Sequence, residues 1–367
     1  MRKNIITGFG FIALSAGMAQ AGGFELQTLD TSIMYADGNA GSISIANIDA
    51  SVSGTKTDTV DTVKDQQTTN ISLKMDFGQT DIGLYTYRSG SIQLSGGNNP
   101  AANYAPTGDI DINSTTLMLA YKLTENMSIL GGVTNNQLTT GNVTTIKGSY
   151  DVTGSSSTGS VLGGAYSIPD IAFRAEVLYQ PKSTISTTTE YTAGGLYAAS
   201  GGAIDDANNA TEVSRPETLT VNLQSGIATD TLLFASYHQA KWSDAKVFID
   251  GDTTTVPGLD PRIDETFDDS AKFTIGLGRK FSDTLSGTLS YASEDGSGDT
   301  SSSLFTFSNG RQTLSAGLRY TIDNMDISAG ISYSQLGDVT VNASGLGDIV
   351  YENNTVTAMG VKIAFAF

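Results

Sequence analysis

The segment RQTLSAGLRYTIDNMDISAGISY, from Arg311 to Tyr333, decides the fold. Leu314, Ala316, Leu318, Tyr320 and Ile322 recur at every second position, and after Asp323-Asn324 the period resumes in Met325, Ile327, Ala329, Ile331 and Tyr333. A period of two sends successive side chains to opposite faces of a β-strand, and a short polar cluster between two such runs reads as a tight hairpin turn. Each run has about the 9–11 residues that a tilted strand needs to cross a hydrocarbon layer.

The same unit repeats toward the N-terminus. Gly78-Gln79-Thr80-Asp81, Thr124-Glu125-Asn126, Pro169-Asp170, Ala228-Thr229-Asp230 and Ser282-Asp283 are turn-forming clusters between alternating runs such as Ile71, Leu73, Met75, Phe77 and Leu117, Leu119, Tyr121, Leu123. Six turns account for twelve strands. An opening strand over Ser42–Ser53 and a closing one over Asn354–Phe367 make fourteen. The connections on the other side are long and polar: 54–65, 95–111, 139–157, 181–214, 246–270, 294–310 and 336–353. Short turns on one side and long loops on the other characterise an outer-membrane barrel, and the even count leaves both termini in the periplasm. A soluble sandwich has no reason to sort its connections by parity. The expected fold is all-β, a 14-stranded antiparallel transmembrane β-barrel.

Composition agrees. The 367 residues include no Cys, one His (His238), 38 Asp+Glu and 20 Lys+Arg, for a net charge of −18. No thiolate nucleophile, Cys-ligated metal or His-cluster site is available, so no cofactor or metal is expected. A pI near 4.2 argues against a nucleic-acid partner. Mean hydropathy of −0.09 fits strands that alternate, and no segment after the leader offers the roughly 20 consecutive apolar residues of a spanning helix. Arg2 and Lys3, the apolar run Ile5 to Ala16 and the Ala19-Gln20-Ala21 pattern read as a signal peptide over 1–21, implying export to a Gram-negative outer membrane. At the other end Thr357, Met359, Val361, Ile363, Phe365 and Phe367 alternate; the terminal Phe367 resembles the signal taken by the outer-membrane insertion machinery. Tyr121, Tyr179, Tyr291, Tyr320 and Tyr333 fall near strand ends, as interfacial girdles require.

Parity also assigns the lumen. With Ile171, Phe173 and Ala175 against lipid, Arg174 and Glu176 point inward; Arg319, Lys362 and Lys74 follow likewise. An Arg or Lys on the lipid face near the midplane would cost about 2–4 kcal/mol. These four cations either pair with Asp76, Glu176 and other lumen acids or receive an anionic head group. In loop 181–214, Tyr191, Leu196 and Tyr197 interleave with small residues, as a cap, a landing site for a hydrophobic ligand or a self-packed loop would. The acidic segment 246–270 reads as a solvated face or one bridged by the divalent ions of lipopolysaccharide, since no D-x-[DN]-x-[DN]-G calcium loop is present. His238, between Tyr237 and Gln239, is the sole imidazole, and no G-x-S-x-G motif accompanies it, so an enzyme is not expected.

Several segments resemble the FadL/TodX-type family of outer-membrane transporters for long-chain fatty acids and other hydrophobic compounds. They are Gly22-Gly23-Phe24-Glu25-Leu26-Gln27 with the small-residue stretch Tyr35 to Gly41, Pro216-Glu217-Thr218-Leu219, Ala235-Ser236-Tyr237 to Lys241-Trp242-Ser243, and Arg311 to Tyr333. The resemblance implies an N-terminal hatch over 22–40 inside a barrel over 41–367. It also implies passive uptake of a fatty acid-like ligand, with lateral release through a kinked third strand, here Ile82 to Leu94 with Gly90 as the bend. The family's Asn-Pro-Ala hatch motif is absent; Ile45-Ala46-Asn47 lies in that region without the proline. The alternative is a general or substrate-selective diffusion porin.

Overall fold

The computed structural model describes residues 18–21, 24–55, 61–96, 105–145, 147–193, 206–250, 262–296, 298–343 and 347–367. Fourteen strands form the wall: β1 (Ala40–Ser51), β2 (Gln66–Asp76), β3 (Thr80–Leu94), β4 (Thr107–Lys122), β5 (Met127–Leu138), β6 (Ser155–Ile168) and β7 (Phe173–Gln180), followed by β8 (Glu217–Ala228), β9 (Thr231–Lys241), β10 (Ser270–Lys280), β11 (Leu285–Glu294), β12 (Arg311–Ile322), β13 (Met325–Leu336) and β14 (Thr355–Ala366). Each pairs antiparallel with its sequence neighbours, and β14 returns to β1 from Ala366↔Ala40 to Thr355↔Ser51, closing the barrel. Closure removes the sheet edges that an open assembly would leave unpaired in lipid. The six short turns fall where the sequence places them. Asp230 and Asp323 take positive φ (57° and 50°), a conformation Asp tolerates better than most residues.

Outward faces carry exposed apolar side chains, among them Leu84, Leu117, Leu119, Val133, Leu223, Ile275, Leu318, Ile331 and Val361. Phe77, Tyr121, Tyr166, Phe281, Tyr320, Phe365 and Phe367 ring the short-turn end; Tyr237, Phe273, Tyr291 and Tyr333 lie toward the other. From Phe365 to Thr357, the partner of Tyr333, a strand rising about 3.3 Å per residue and tilted about 40° climbs roughly 20 Å, close to the thickness of an outer-membrane apolar band. Inward faces mix polar side chains with an apolar patch that includes Tyr85, Met118 and Leu178. Hydroxyl pairs such as Thr116–Thr134 (2.9 Å) and Thr313–Ser334 (2.8 Å) link neighbouring strands on the lumen side.

The long connections depart from the expectation of polar loops. Gly141–Thr145 and Gly148–Val152, Ser183–Ala193 and Asp206–Arg215, and Lys246–Ile249 and Ile263–Thr266 form successive hairpins that pair with one another as an extracellular cap. Strand β4 also begins at Thr107, inside the segment expected to be loop. The cap has its own core, with Trp242, Tyr150, Tyr191, Ile185, Phe267, Phe305 and Phe307 buried together. Prolines separate cap from wall. The β7–β8 ladder ends at Gln180↔Thr218 and pairing resumes at Ser183↔Arg215, across the level of Pro181 and Pro216, which have no N–H to donate.

Candidate functional site

The chain before β1 runs inside the barrel as a hatch, with a short strand Phe24–Gln27 and a single 3-10 turn Ser32–Tyr35. In the full-length chain Met18–Ala21, on the expected leader, pairs with that strand. One side of the hatch is apolar: Leu29, Ile33 and Met34 pack against Tyr85, Tyr87, Met118, Leu130, Val161 and Leu178. Gly83 permits this approach, since a Cβ there would come 2.6 Å from Met34 Sδ. The other side is polar and converges on Glu176. Thr31 Oγ1 donates to both carboxylate oxygens (2.8 and 2.9 Å), Tyr35 donates its hydroxyl, and Asn222 Nδ2 donates at 2.8 Å. Lys362 reaches Asp30 at 3.0 Å, and Lys74 donates to the Ala36 carbonyl at 2.5 Å.

Beside this polar side lies a chamber of about 230 Å³, bounded by hatch residues Gln27 to Ser32 and by the inner faces of β7–β10, β14, β1 and β2. Thr220, Asn222, Gln224, Ser236, Thr274 and Asn70 line it, with Arg174, Lys272 and Lys362 as cations and Asp30 and Glu176 as acids.

The wall itself is interrupted between β2 and β3. Their ladder ends at Ile71↔Thr86, and the next bridge is Val63↔Leu94. In between, the pairing of β3 with β4 slips by one residue between Arg88 and Gly90, at the bend expected from Gly90, with Ser89 as the extra residue. A bulge reverses the sidedness of everything beyond it. Below it Leu84 and Thr86 face outward; above it Ile92 and Leu94 turn inward and join the cap core. The hatch strand lies in this gap, with Glu25↔Ser91 and Leu26↔Gly90 its residue pairs to β3. Gln66, on the β2 side, donates to Glu25 Oε2 at 3.0 Å and accepts from Arg88 Nη2 at 2.5 Å, while Arg88 Nη1 lies 3.3 Å from Asp111 on β4. A side chain from each border of the gap thus meets one from the hatch.

All four lumen cations expected from parity face inward, but they do not share one site. Arg174 and Lys362 line the chamber; the Arg174 guanidinium sits 4.1 Å over the Tyr35 ring. Lys74 is buried against Asp81 (3.7 Å), and Arg319 pairs with Asp326 at 3.6 Å near the short-turn end. Tyr191 is buried in the cap, its hydroxyl donating to the Lys147 carbonyl at 2.8 Å. Leu196 and Tyr197 lie outside the described residues. His238 faces the chamber, with Thr220 Oγ1 2.9 Å from Nδ1. Lys272 was within reach of the same reasoning, since Phe273 and Ile275 point outward. Glu25, Gln66 and Arg88 were not, because the bulge sets their meeting.

An apolar belt outside a closed barrel defines a Gram-negative outer-membrane β-barrel. Among the described residues no helix is long and apolar enough to cross a membrane. No family model and no curated protein sequence matches the chain. Among solved structures it is similar to a FadL homologue of Pseudomonas aeruginosa, with a TM-score of 0.75 and 14% identity over 95% of this chain and 96% of that one. It is also similar to the toluene transporter TbuX of Ralstonia pickettii (0.63, 14%, 91% of each chain) and the toluene transporter TodX of Pseudomonas putida (0.62, 12%, 96% and 97%). The likeness is one of fold: the chain has the FadL-type barrel.

Proposed function

We propose that the chain is a passive outer-membrane transporter for long-chain fatty acids or similar hydrophobic small molecules. The ligand is taken up at the cap, passes into the lumen and leaves sideways between β2 and β3 into the membrane. The observation that carries this reading is the gap itself. A structural wall has every reason to keep its ladder continuous, because unpaired backbone groups facing lipid each cost several kcal/mol, by order of magnitude. Here the β2–β3 ladder lapses between Ile71↔Thr86 and Val63↔Leu94, beside the bulge that β3 makes against β4 at Ser89, and the opening is filled by a separate strand. The cap core continues into the gap through Ile92, Leu94 and Leu26, which gives an apolar solute a continuous greasy surface.

Deleting Ser89 tests it. Without the extra residue, β3 holds one register along β4 and loses the bend beside the gap. Uptake of a radiolabelled fatty acid into proteoliposomes then falls to the level of protein-free vesicles while the barrel keeps its heat resistance. Undiminished uptake by a correctly folded deletion variant refutes the lateral route. One observation favours the diffusion porin as second reading: the hydrophilic lining of the chamber. Single-channel conductance separates the two, because a porin passes a steady ion current and a plugged barrel does not.

A further inference from the structure

The apolar belt is uneven around the barrel. On β12 it runs from Ile322 beside the short turn up to Leu314, on β13 from Met325 to Tyr333, and on β14 from Phe367 to Met359. On β10 it runs from Phe281 to Phe273, broken only by Arg279, whose guanidinium donates to the Thr229 carbonyl of the β8–β9 turn. At about 3.3 Å per residue and a tilt of about 40°, each stretch climbs roughly 20 Å. Across β1 to β6 the outward series stops lower. Phe77 to Ile71 on β2, Leu123 to Leu117 on β4 and Met127 to Val133 on β5 climb roughly 15 Å, and Tyr166 to Leu162 on β6 roughly 10 Å. The next outward groups are Thr69, Thr115 and Asn135, all exposed, and half-buried Ser160. Strand β1 turns polar at Asn47, whose side chain accepts from Gln67 of β2 at 2.9 Å. Asn135 lies as far beyond Met127 as Tyr333 lies beyond Met325, so an amide on one side stands at the height of an aromatic ring on the other. Higher still, Lys64 pairs with Asp109 and Arg88 with Asp111, each at 3.3 Å, and Gln93 donates to Asp109 at 3.0 Å and to Asp111 at 3.3 Å. Asn113 and Gln137, partners across the β4–β5 ladder, are exposed on the same face.

We propose that the outer face of β1–β6 is a seat for the sugar-phosphate head groups of lipopolysaccharide, and that the outer leaflet is thinner there than at β10–β14 by roughly 5–10 Å. Acyl chains give the amides of Asn47, Gln67, Asn113, Asn135 and Gln137 nothing to bond with, whereas sugar hydroxyls, amides and phosphates supply both donors and acceptors. A wall with a short apolar span is accommodated by thinning of the bilayer beside it. Tilting a rigid barrel does not level this belt. Both halves carry aromatic groups at the short-turn end, Phe77, Tyr121 and Tyr166 on one and Phe281, Tyr320 and Phe365 on the other, and only the span above them differs. The seat surrounds the gap, whose lower edge is the pair Ile71↔Thr86, so a solute leaving there meets the leaflet at its head-group boundary. The seat itself stands with or without transport.

The chain has no cysteine, so Asn135→Cys and Tyr333→Cys each give a single nitroxide site on the outer face of the full-length barrel. In vesicles of phosphatidylethanolamine and lipopolysaccharide, collision of the label with oxygen and with a nickel chelate reads its depth. The Asn135 label should lie roughly 5–10 Å nearer the aqueous phase than the Tyr333 label. Labels beside the short turns, at Leu123→Cys and Ile322→Cys, should lie at equal depth. Equal depths at Asn135 and Tyr333 overturn the proposal, because the leaflet is then even. A matching offset between the Leu123 and Ile322 labels also overturns it, because the barrel is then tilted in a flat bilayer. Shielding of the Asn135 label from both collision partners assigns the face to a second copy of the chain and removes the lipid seat. All four substitutions are at outward positions, and heat-resistant electrophoretic mobility checks that each variant keeps its barrel.

Discussion

Replacing Glu176 by Ala should free the fixed end of the hatch while leaving the barrel intact. Glu176 is buried on β7, and two of its hydrogen-bond donors, Thr31 and Tyr35, belong to the hatch. Hydrogen bonds to a charged group contribute about 1.5–3 kcal/mol each, so the two are worth roughly 3–6 kcal/mol before compensation. The chamber borders this point, and water from it can take up part of the loss at Thr31 and Asn222. A net cost of about 3 kcal/mol corresponds to about two powers of ten in the docking equilibrium of the hatch. The amides to watch are those of Met34 and Ala36, which donate to the Thr31 and Ile33 carbonyls at 3.0 and 3.1 Å. Their hydrogen exchange in detergent should accelerate by that factor, with the β12–β13 amides unaffected. Unchanged protection at Met34 would mean that Leu29, Ile33 and Met34 hold the hatch unaided. Loss of protection throughout the barrel would mean that the hatch is part of its folding unit.

Three further outcomes are expected. Trp242→Ala removes the largest fully buried side chain of the cap and should cost about 3–5 kcal/mol; limited proteolysis should then cut the cap faster with the wall still resistant, and equal sensitivity of wall and cap would show that the cap is not separable. Burial pushes the Glu265 carboxyl above the usual carboxylate range, partly offset by a hydrogen bond from Ser303 and the charge of Lys147. An acid raised in the folded state destabilises it at pH above both its pKa values, and the penalty fades as pH falls through the folded value. Acidification from neutrality should therefore slow amide exchange over Ile263–Thr266 after correction for intrinsic rates, and faster exchange would contradict it. Deleting 22–40 should turn a closed barrel into one with a steady ion current; unaltered conductance would show that these residues are not the plug.

The barrel was legible because lipid on one side and a closed interior on the other force a two-residue period on every strand. Leu314 to Tyr333 alone reveals it, and the inward direction of Arg174, Arg319, Lys362 and Lys74 follows from parity. Their partners do not. Lys74 meets Asp81, one of the lumen acids left open by the sequence, which lies diagonally across the β2–β3 ladder where Lys74 faces Gly83. Periodicity also misleads beyond Arg88: Ile92 and Leu94 continue the even-numbered series of Ile82 and Leu84, yet Ser89 sends them to the opposite face. Thr31 and Glu176 are 145 positions apart, so no local pattern announces their contact. A cap was one reading of loop 181–214, but its strands were not legible: Ser183–Ala193 is as long as a wall strand yet rich in Ser and Thr, and Lys246–Ile249 is short, although Val247 and Ile249 alternate as a strand should.

The two ends of the hatch are held by different physics, and this bears on how an outer membrane could admit an oily solute without leaking ions. At Thr31 and Tyr35 the attachment is a buried carboxylate with several donors, reinforced by Lys362 on Asp30 and Lys74 on Ala36. At Glu25 and Leu26 it is two residue pairs to β3, the Gln66 amide and the Ser91 hydroxyl, and the burial of Leu26 in the cap core. That end faces the gap in the wall; the other end lies among Tyr85, Met118 and Leu178. The lateral route needs the strand end to move and the axial plug to stay, and the distribution of contacts along these few residues separates the two.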